Sequence, residues 1–265
     1  MIIRTNEMQV TLDKLYNLLS TEKKVYYARF GDGDTYIMSG AGRCIEHTAS
    51  PELQQELLNA FTIDDPNFIK GVMITEPIFN GSPELIQQDP ASSQNARNLV
   101  EKLYADKQEE IVFDSHTVLM YIAVYHPEIM TDFLDRFIRP KKKLFIGCVD
   151  KDKIERLVGK IDYYVNIPRE RVSQEKADAG IPVGAYYAID EWWPKVMDCI
   201  DDVELVLPTA GMAGRVTCGR LWKLDKKVHC IELGSIVDDA VGICSRTTWH
   251  PTKAGGTIQK LLMDI

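Results

Sequence analysis

The residues best suited to chemistry are two aspartates separated by one glycine, Asp32 and Asp34, within Ala28-Arg29-Phe30-Gly31-Asp32-Gly33-Asp34. Asp-x-Asp in a turn lets two carboxylate oxygens converge on one hard cation. Mg²⁺ or Mn²⁺ needs such oxygens when it also carries substrate phosphates. Gly31 and Gly33 remove bulk beside each carboxylate and permit unusual backbone angles. Gly-Asp-Gly is equally ordinary turn chemistry, and the string alone does not separate the two readings.

A second stretch, Leu205-Val206-Leu207-Pro208-Thr209-Ala210-Gly211-Met212-Ala213-Gly214-Arg215, reads as strand, small-residue turn and helix. Backbone N–H groups at a new helix N-terminus can receive a phosphate, and glycines let it come close. The stretch is not a Walker A loop, since no Gly-Lys-Ser/Thr follows, and it supplies only G-x-x-G of the dinucleotide fingerprint. A tightly packed βα turn would give the same string. Taken with the Asp-Gly-Asp turn it has a clear use. Asp32 and Asp34 would chelate a metal on a diphosphate, while Thr209, Gly211, Gly214 and Arg215 would hold the diphosphate itself. Arg29 would pair with a phosphate or brace a carboxylate.

Candidates for proton transfer are Asp114 with His116, and Asp238 with Asp239. Asp114 and His116 lie two residues apart at a strand end, where a carboxylate can orient a histidine or raise its pKa. The bland alternative is a helix cap and a half-buried histidine. Asp238 and Asp239 follow the Gly234-Ser235 turn and would activate an acceptor hydroxyl or cap the next element. His250 precedes Pro251 and reads as structural; His47 and His229 show no partner pattern. Trp192-Trp193 would make a stacking platform if exposed, but such pairs more often serve the core or an oligomer contact. Tyr186-Tyr187 is open in the same way.

The elements that must position these groups follow from periodicity. Leu12, Leu15, Leu18 and Leu19 predict a helix over 11–19 with Thr11 as its cap. Strands are predicted over 25–30, 68–74, 110–114, 144–149, 202–208 and 227–233, with a short strand and its exit loop over 161–168. Between them fall predicted helices over 51–61, with Ser50 as N-cap and Pro51 at N1, and over 96–104, 118–124, 130–137, 153–158, 189–199 and 216–222. A further helix is expected to begin at Thr35, and a short one after Gly255-Gly256. Alternating strands and helices predict an α/β, Rossmann-like architecture, a largely parallel sheet with helices on both faces. Functional loops then lie outside the carboxyl ends of the strands. No repeat or Pro/Ser-rich linker divides the sequence, so a single domain over 1–265 is expected, with 77–95 and 169–184 as loop excursions, the latter a lid or acceptor loop.

Composition excludes several classes. The 265 residues carry a net charge of -8, so no global basic field is present to hold nucleic acid. An anionic substrate must be held locally. The opening residues lack a long apolar stretch, and nowhere do about 18 apolar residues run together, so neither a signal peptide nor a membrane span is expected. The six cysteines are scattered with no C-x-x-C pair, which fits reduced thiols in a cytoplasmic protein.

Arg29-Phe30-Gly31-Asp32-Gly33-Asp34 resembles the R-F-G-D-G-E signature of the GT-D type glycosyltransferases, the DUF1792 domain family. Leu205 to Arg215 with Leu221, and then Val228 to Ser235, resemble that family's strand–G-x-x-A–helix and I-D-[IL]-G elements. The resemblance spans most of the chain, with its specific motifs in these two blocks. Asp34 stands where the family has glutamate, and Glu232 where it more often has aspartate. The resemblance implies a Rossmann-like fold and transfer of a sugar from a nucleotide sugar, typically a UDP-hexose, to a glycan acceptor. It also implies that the D-x-E position takes part in catalysis and in handling the metal and nucleotide.

Three other readings stand beside it. A metal-dependent phosphohydrolase could use Asp32 and Asp34, although Thr35 falls one place early for a D-x-D-x-[TV] order. A dinucleotide oxidoreductase would want glycines and amides where the first βα turn has carboxylates. A nucleotide-binding protein without turnover could keep the same fold. A modified base in DNA is an alternative acceptor, served by the basic strip from Arg139 to Lys143, and a homo-oligomer is compatible with the sequence.

Overall fold

The computed structural model describes residues 1–40, 43–44, 47–75, 78–80, 82–83, 90–107, 110–169 and 184–242. Residues 170–183 of the expected lid, residues 77, 81 and 84–89 of the 77–95 loop, His250 and the helix after Gly255-Gly256 therefore lie outside the described residues.

Eight strands of three residues or more carry the architecture: β1 (Ile3–Thr5), β2 (Tyr26–Phe30), β3 (Phe68–Val72), β4 (Ile111–Phe113), β5 (Lys143–Gly147), β6 (Tyr163–Asn166), β7 (Leu205–Pro208) and β8 (His229–Ile231). Six of them form a parallel sheet in the order β6-β5-β7-β8-β2-β3. A single bridge from Gly71 to Asp114 leads on to β4, and β1 pairs in parallel with β4. The helices are α1 (Met8–Thr21), α2 (Asp32–Met38), α3 (Pro51–Phe61), α4 (Pro90–Leu103), α5 (Val118–Tyr125), α6 (Pro127–Phe133), α7 (Lys151–Val158), α8 (Ile189–Met197), α9 (Met212–Lys223) and α10 (Ile236–Ala240). A π-helical turn, Leu134–Ile138, continues α6. No described helix is long and apolar enough to cross a membrane.

The strands are apolar on both faces because helices cover both. Alternation along β2 sends Tyr26, Ala28 and Phe30 into one core, with α3, α4, α8 and α9, and Tyr27 into the other, with α1, α5, α6 and α7. Val206 of β7 joins the first core, and Leu205 and Leu207 the second. The expected α/β class and parallel sheet are what the structure has.

Several boundaries differ from expectation, each for a tertiary reason. α1 starts at Met8, and Thr11 is not its cap. Thr11 is buried, accepting from the Ser115 amide at 2.8 Å. α4 starts at Pro90 rather than Ala96, and α9 at Met212 rather than Val216. β1 was not expected, because three residues are too few to show periodicity. It is held by pairing with β4 and by the Thr5 hydroxyl, which donates to the Val72 carbonyl at 2.8 Å. The segment 51–61 is a helix as expected, and Ser50 caps it by accepting from the Leu53 amide at 3.1 Å.

Candidate active site

The carboxyl ends of the six parallel strands form one edge of the sheet. From β5 the chain passes through α7 to β6 on one side, and from β7 through α9 to β8 on the other. α7 packs into one core and α9 into the other. The crevice between the ends of β5 and β7 is thus the switch point of the sheet, where open α/β folds place ligands. Thr209 and Gly211 stand there half-buried, and Cys148 is exposed. Gly211 has φ +53°, a backbone that suits glycine and that aims the start of α9 at the crevice. Thr209 donates to the Ile146 carbonyl at 3.1 Å, tying β7 to β5.

Two strands along, the Asp-Gly-Asp stretch is not a free turn. α2 begins at Asp32, three residues earlier than expected, because Asp34 closes a cap on it. Asp34 Oδ2 accepts from the Gly31 amide at 2.8 Å. Asp32 and Asp34 therefore occupy the first and third positions of a helix, where side chains two apart do not face each other. Asp32 is exposed at a narrow cleft lined by Phe30, Thr35, Met73, Ser92 and Ala96. Asp34 is buried on the other side, with Arg215 Nε 3.4 Å from its Oδ2. Burial raises the Asp34 pKa and Arg215 opposes the rise. Asp34 Oδ1 has no hydrogen-bond partner among the described residues, yet it is shut off from solvent. The two carboxylates do not converge here on one cation, and no cluster of three or more His, Cys, Asp or Glu with metal-binding geometry occurs among the described residues.

Arg215, Glu232 and Arg29 complete a buried clamp with Asp34. Glu232 is 2 % exposed. Its Oε2 accepts from the Arg29 amide at 2.6 Å, and its Oε1 lies 3.2 Å from Arg215 Nη1. Arg215 also donates to the carbonyls of Arg29 and Gly211. The Arg29 side chain donates to the His116 carbonyl at 2.6 Å and the Leu233 carbonyl at 3.1 Å. Arg29 thus braces three strand ends. A Cβ on Gly214 would collide with Glu232 Oε1, so this glycine makes room for a carboxylate of the protein itself. Burial pushes the Glu232 pKa up to about 7, with Arg215 pulling against it.

The remaining candidates are placed apart. Asp114 is buried at the end of β4, with Lys14 Nζ 2.7 Å from Oδ2 and Asn6 Nδ2 3.2 Å from Oδ1, so it braces α1. His116 is half-buried beside the Arg29 guanidinium, and Asp238 is half-buried on α10. The side chain of Asp239 lies outside the described residues. Trp192 is in the core, 1 % exposed, and donates to the Ala185 carbonyl at 2.8 Å. Trp193 packs partly exposed against Arg220. Glu232 escaped the sequence reading as a working residue. Its signal was a carboxylate set in the apolar run Cys230-Ile231-Glu232-Leu233, where an unpaired charge would be costly.

With this geometry in hand, comparison with solved structures is informative. A glycosyltransferase (DUF1792) from Streptococcus sanguinis matches with a TM-score of 0.55 at 14% identity, over 90% of this chain and 83% of the other. A DUF1792 structure described as having a distinct glycosyltransferase fold gives a TM-score of 0.57 at 15% identity, over 90% and 80%. A selenomethionine-substituted DUF1792 domain gives 0.56 at 14% identity, over the same shares. The chain has the DUF1792 fold. No family model matches the sequence, and no curated protein does. At this identity the likeness establishes the fold and leaves the chemistry to the site.

Proposed function

We propose that this protein is a glycosyltransferase that moves a sugar from a nucleotide sugar, a UDP-hexose first among them, to a hydroxyl of a glycan acceptor. One observation carries the reading. An exposed carboxylate at the end of β2 and the N-terminus of the twelve-residue helix α9 share one edge of a parallel sheet. Two strand spacings separate them, roughly 10 Å, which a sugar diphosphate can bridge. The likeness to DUF1792 glycosyltransferase structures supports the same reading.

In this proposal the diphosphate lies against the first amides of α9, where the helix dipole favours negative charge. Arg215 holds the start of that helix through the Gly211 carbonyl. The leaving diphosphate is stabilised by groups already in place before the bond breaks. Asp32 accepts hydrogen bonds from hydroxyls of the sugar being moved. Asp34 and Glu232 keep the two halves in register and stay out of contact with substrate. No step is assigned to Mn²⁺ or Mg²⁺, because Asp32 and Asp34 do not form a shared donor pair.

Calorimetric titration of UDP, GDP, ADP and NAD⁺, each with and without Mn²⁺, tests the proposal. UDP or GDP binding together with hydrolysis of the matching nucleotide hexose supports it. NAD⁺ binding with silence from UDP and GDP overturns it.

A further inference from the structure

α2 has seven residues, too few to hold one conformation through its own hydrogen bonds. Its first turn nevertheless has to present Asp32 in one direction. Part of the answer lies on α4. Thr35 is 2 % exposed, and its hydroxyl donates to the Asp32 carbonyl at 2.9 Å. A hydroxyl has one proton to give, so the same oxygen can only accept from elsewhere. It accepts from Asn95 Nδ2, at 3.2 Å. Asn95 sits within α4, whose Ser92 and Ala96 close over the same turn. The relay therefore runs in one sense, from Asn95 through Thr35 to the backbone of Asp32.

We infer that Asn95 and Thr35 are positioning residues: the Asn95–Thr35 relay fixes the turn of α2 that points the Asp32 carboxylate at substrate. The inference rests on the reading of Asp32 as the substrate-facing carboxylate. A relay of this kind is not needed to bind the nucleotide, since the α9 N-terminus lies two strands away. It matters for the geometry of the reacting sugar, where small misplacements are expensive. Thr35→Val keeps the shape of the side chain and removes the hydroxyl, Asn95→Leu removes the donor, and Thr35→Ser restores the relay.

The test uses the full chain with UDP binding by calorimetry, UDP-glucose hydrolysis and a melting temperature for each variant, with Asp32→Asn in parallel. Thr35→Val and Asn95→Leu should lower kcat roughly tenfold and leave KM and UDP affinity within about twofold. Thr35→Ser should return kcat to near the wild-type value. That rescue, at matched melting temperatures, separates positioning from general destabilisation. If Asp32→Asn loses hydrolysis while Thr35→Val and Asn95→Leu keep it, the relay is overturned and the reading of Asp32 stands. If Asp32→Asn also hydrolyses UDP-glucose at the wild-type rate, the reading of Asp32 falls and takes the relay with it. Should Thr35→Val fail to fold, Asn95→Leu decides the matter by itself.

Discussion

Glu232→Gln should change how the stability of this protein depends on pH. Burial moves the Glu232 carboxyl from its ordinary 4.5 to about 7. The folded protein then binds that proton more tightly than the unfolded chain. The resulting stabilisation is complete below pH 4.5, and is lost as the pH rises to about 7. The two values differ by about 2.5 pH units, which at about 1.4 kcal/mol each is roughly 3 kcal/mol. His229 works in the opposite sense. It is 5 % exposed, and burial lowers its pKa from 6.5 to about 4. Its contribution is complete above pH 6.5 and is lost as the pH falls to about 4. The two contributions are alike in size, opposite in sign and share most of one window, so they largely offset each other there. Glutamine has no proton to release, and subtracting the two profiles cancels His229. Relative to wild type, the variant should gain ~3 kcal/mol between about pH 4.5 and pH 7.5. Urea denaturation at half-unit pH steps measures it. A difference that stays constant across that range would refute the claim that burial of Glu232 outweighs the opposing pull of Arg215.

Asp32→Asn should abolish most UDP-hexose turnover while leaving the melting temperature unchanged, because the Asp32 side chain is exposed and its carbonyl bond to Thr35 survives. Gly214→Ala should cost about 1–3 kcal/mol of stability in thermal or urea unfolding, since the new methyl meets Glu232. Weakened UDP binding with full stability would instead mean that this glycine makes room for phosphate. Trp192→Ala should cost about 3–5 kcal/mol, and Trp193→Ala about 1 kcal/mol, as measured by denaturation. Equal losses would contradict the burial of one ring and the partial exposure of the other.

How much was legible in the sequence varies with the range of the interaction involved. The strands β2, β3, β5 and β7 were visible as apolar runs, and α3 through its Ser50-Pro51 start, because these signals are local. The boundaries that moved were set at long range. Thr11 looked like a cap, yet its hydroxyl serves the Ser115 amide, 104 residues away. Asp32 and Asp34 looked like a pair, yet the cap from Asp34 to Gly31 draws both into a helix and turns them apart. Gly214 and Arg215 read as diphosphate-binding residues, yet one yields space to Glu232 and the other pairs with it.

The sequence by itself determined the class of fold, the polarity of the sheet, and the fact that Asp32 and the start of α9 fall at strand carboxyl ends. Period and turn chemistry are properties of neighbouring residues, and parallel strands joined by helices put all such ends on one edge. Only the tertiary structure decided which charged groups face substrate and which face each other. Arg29, Asp34, Arg215 and Glu232 are spread over two hundred residues, and each could serve a ligand as well as a partner. Their roles follow from burial, since a charge taken out of water must find compensation in the protein: Asp34 and Glu232 find Arg215, and the Arg29 guanidinium finds backbone carbonyls.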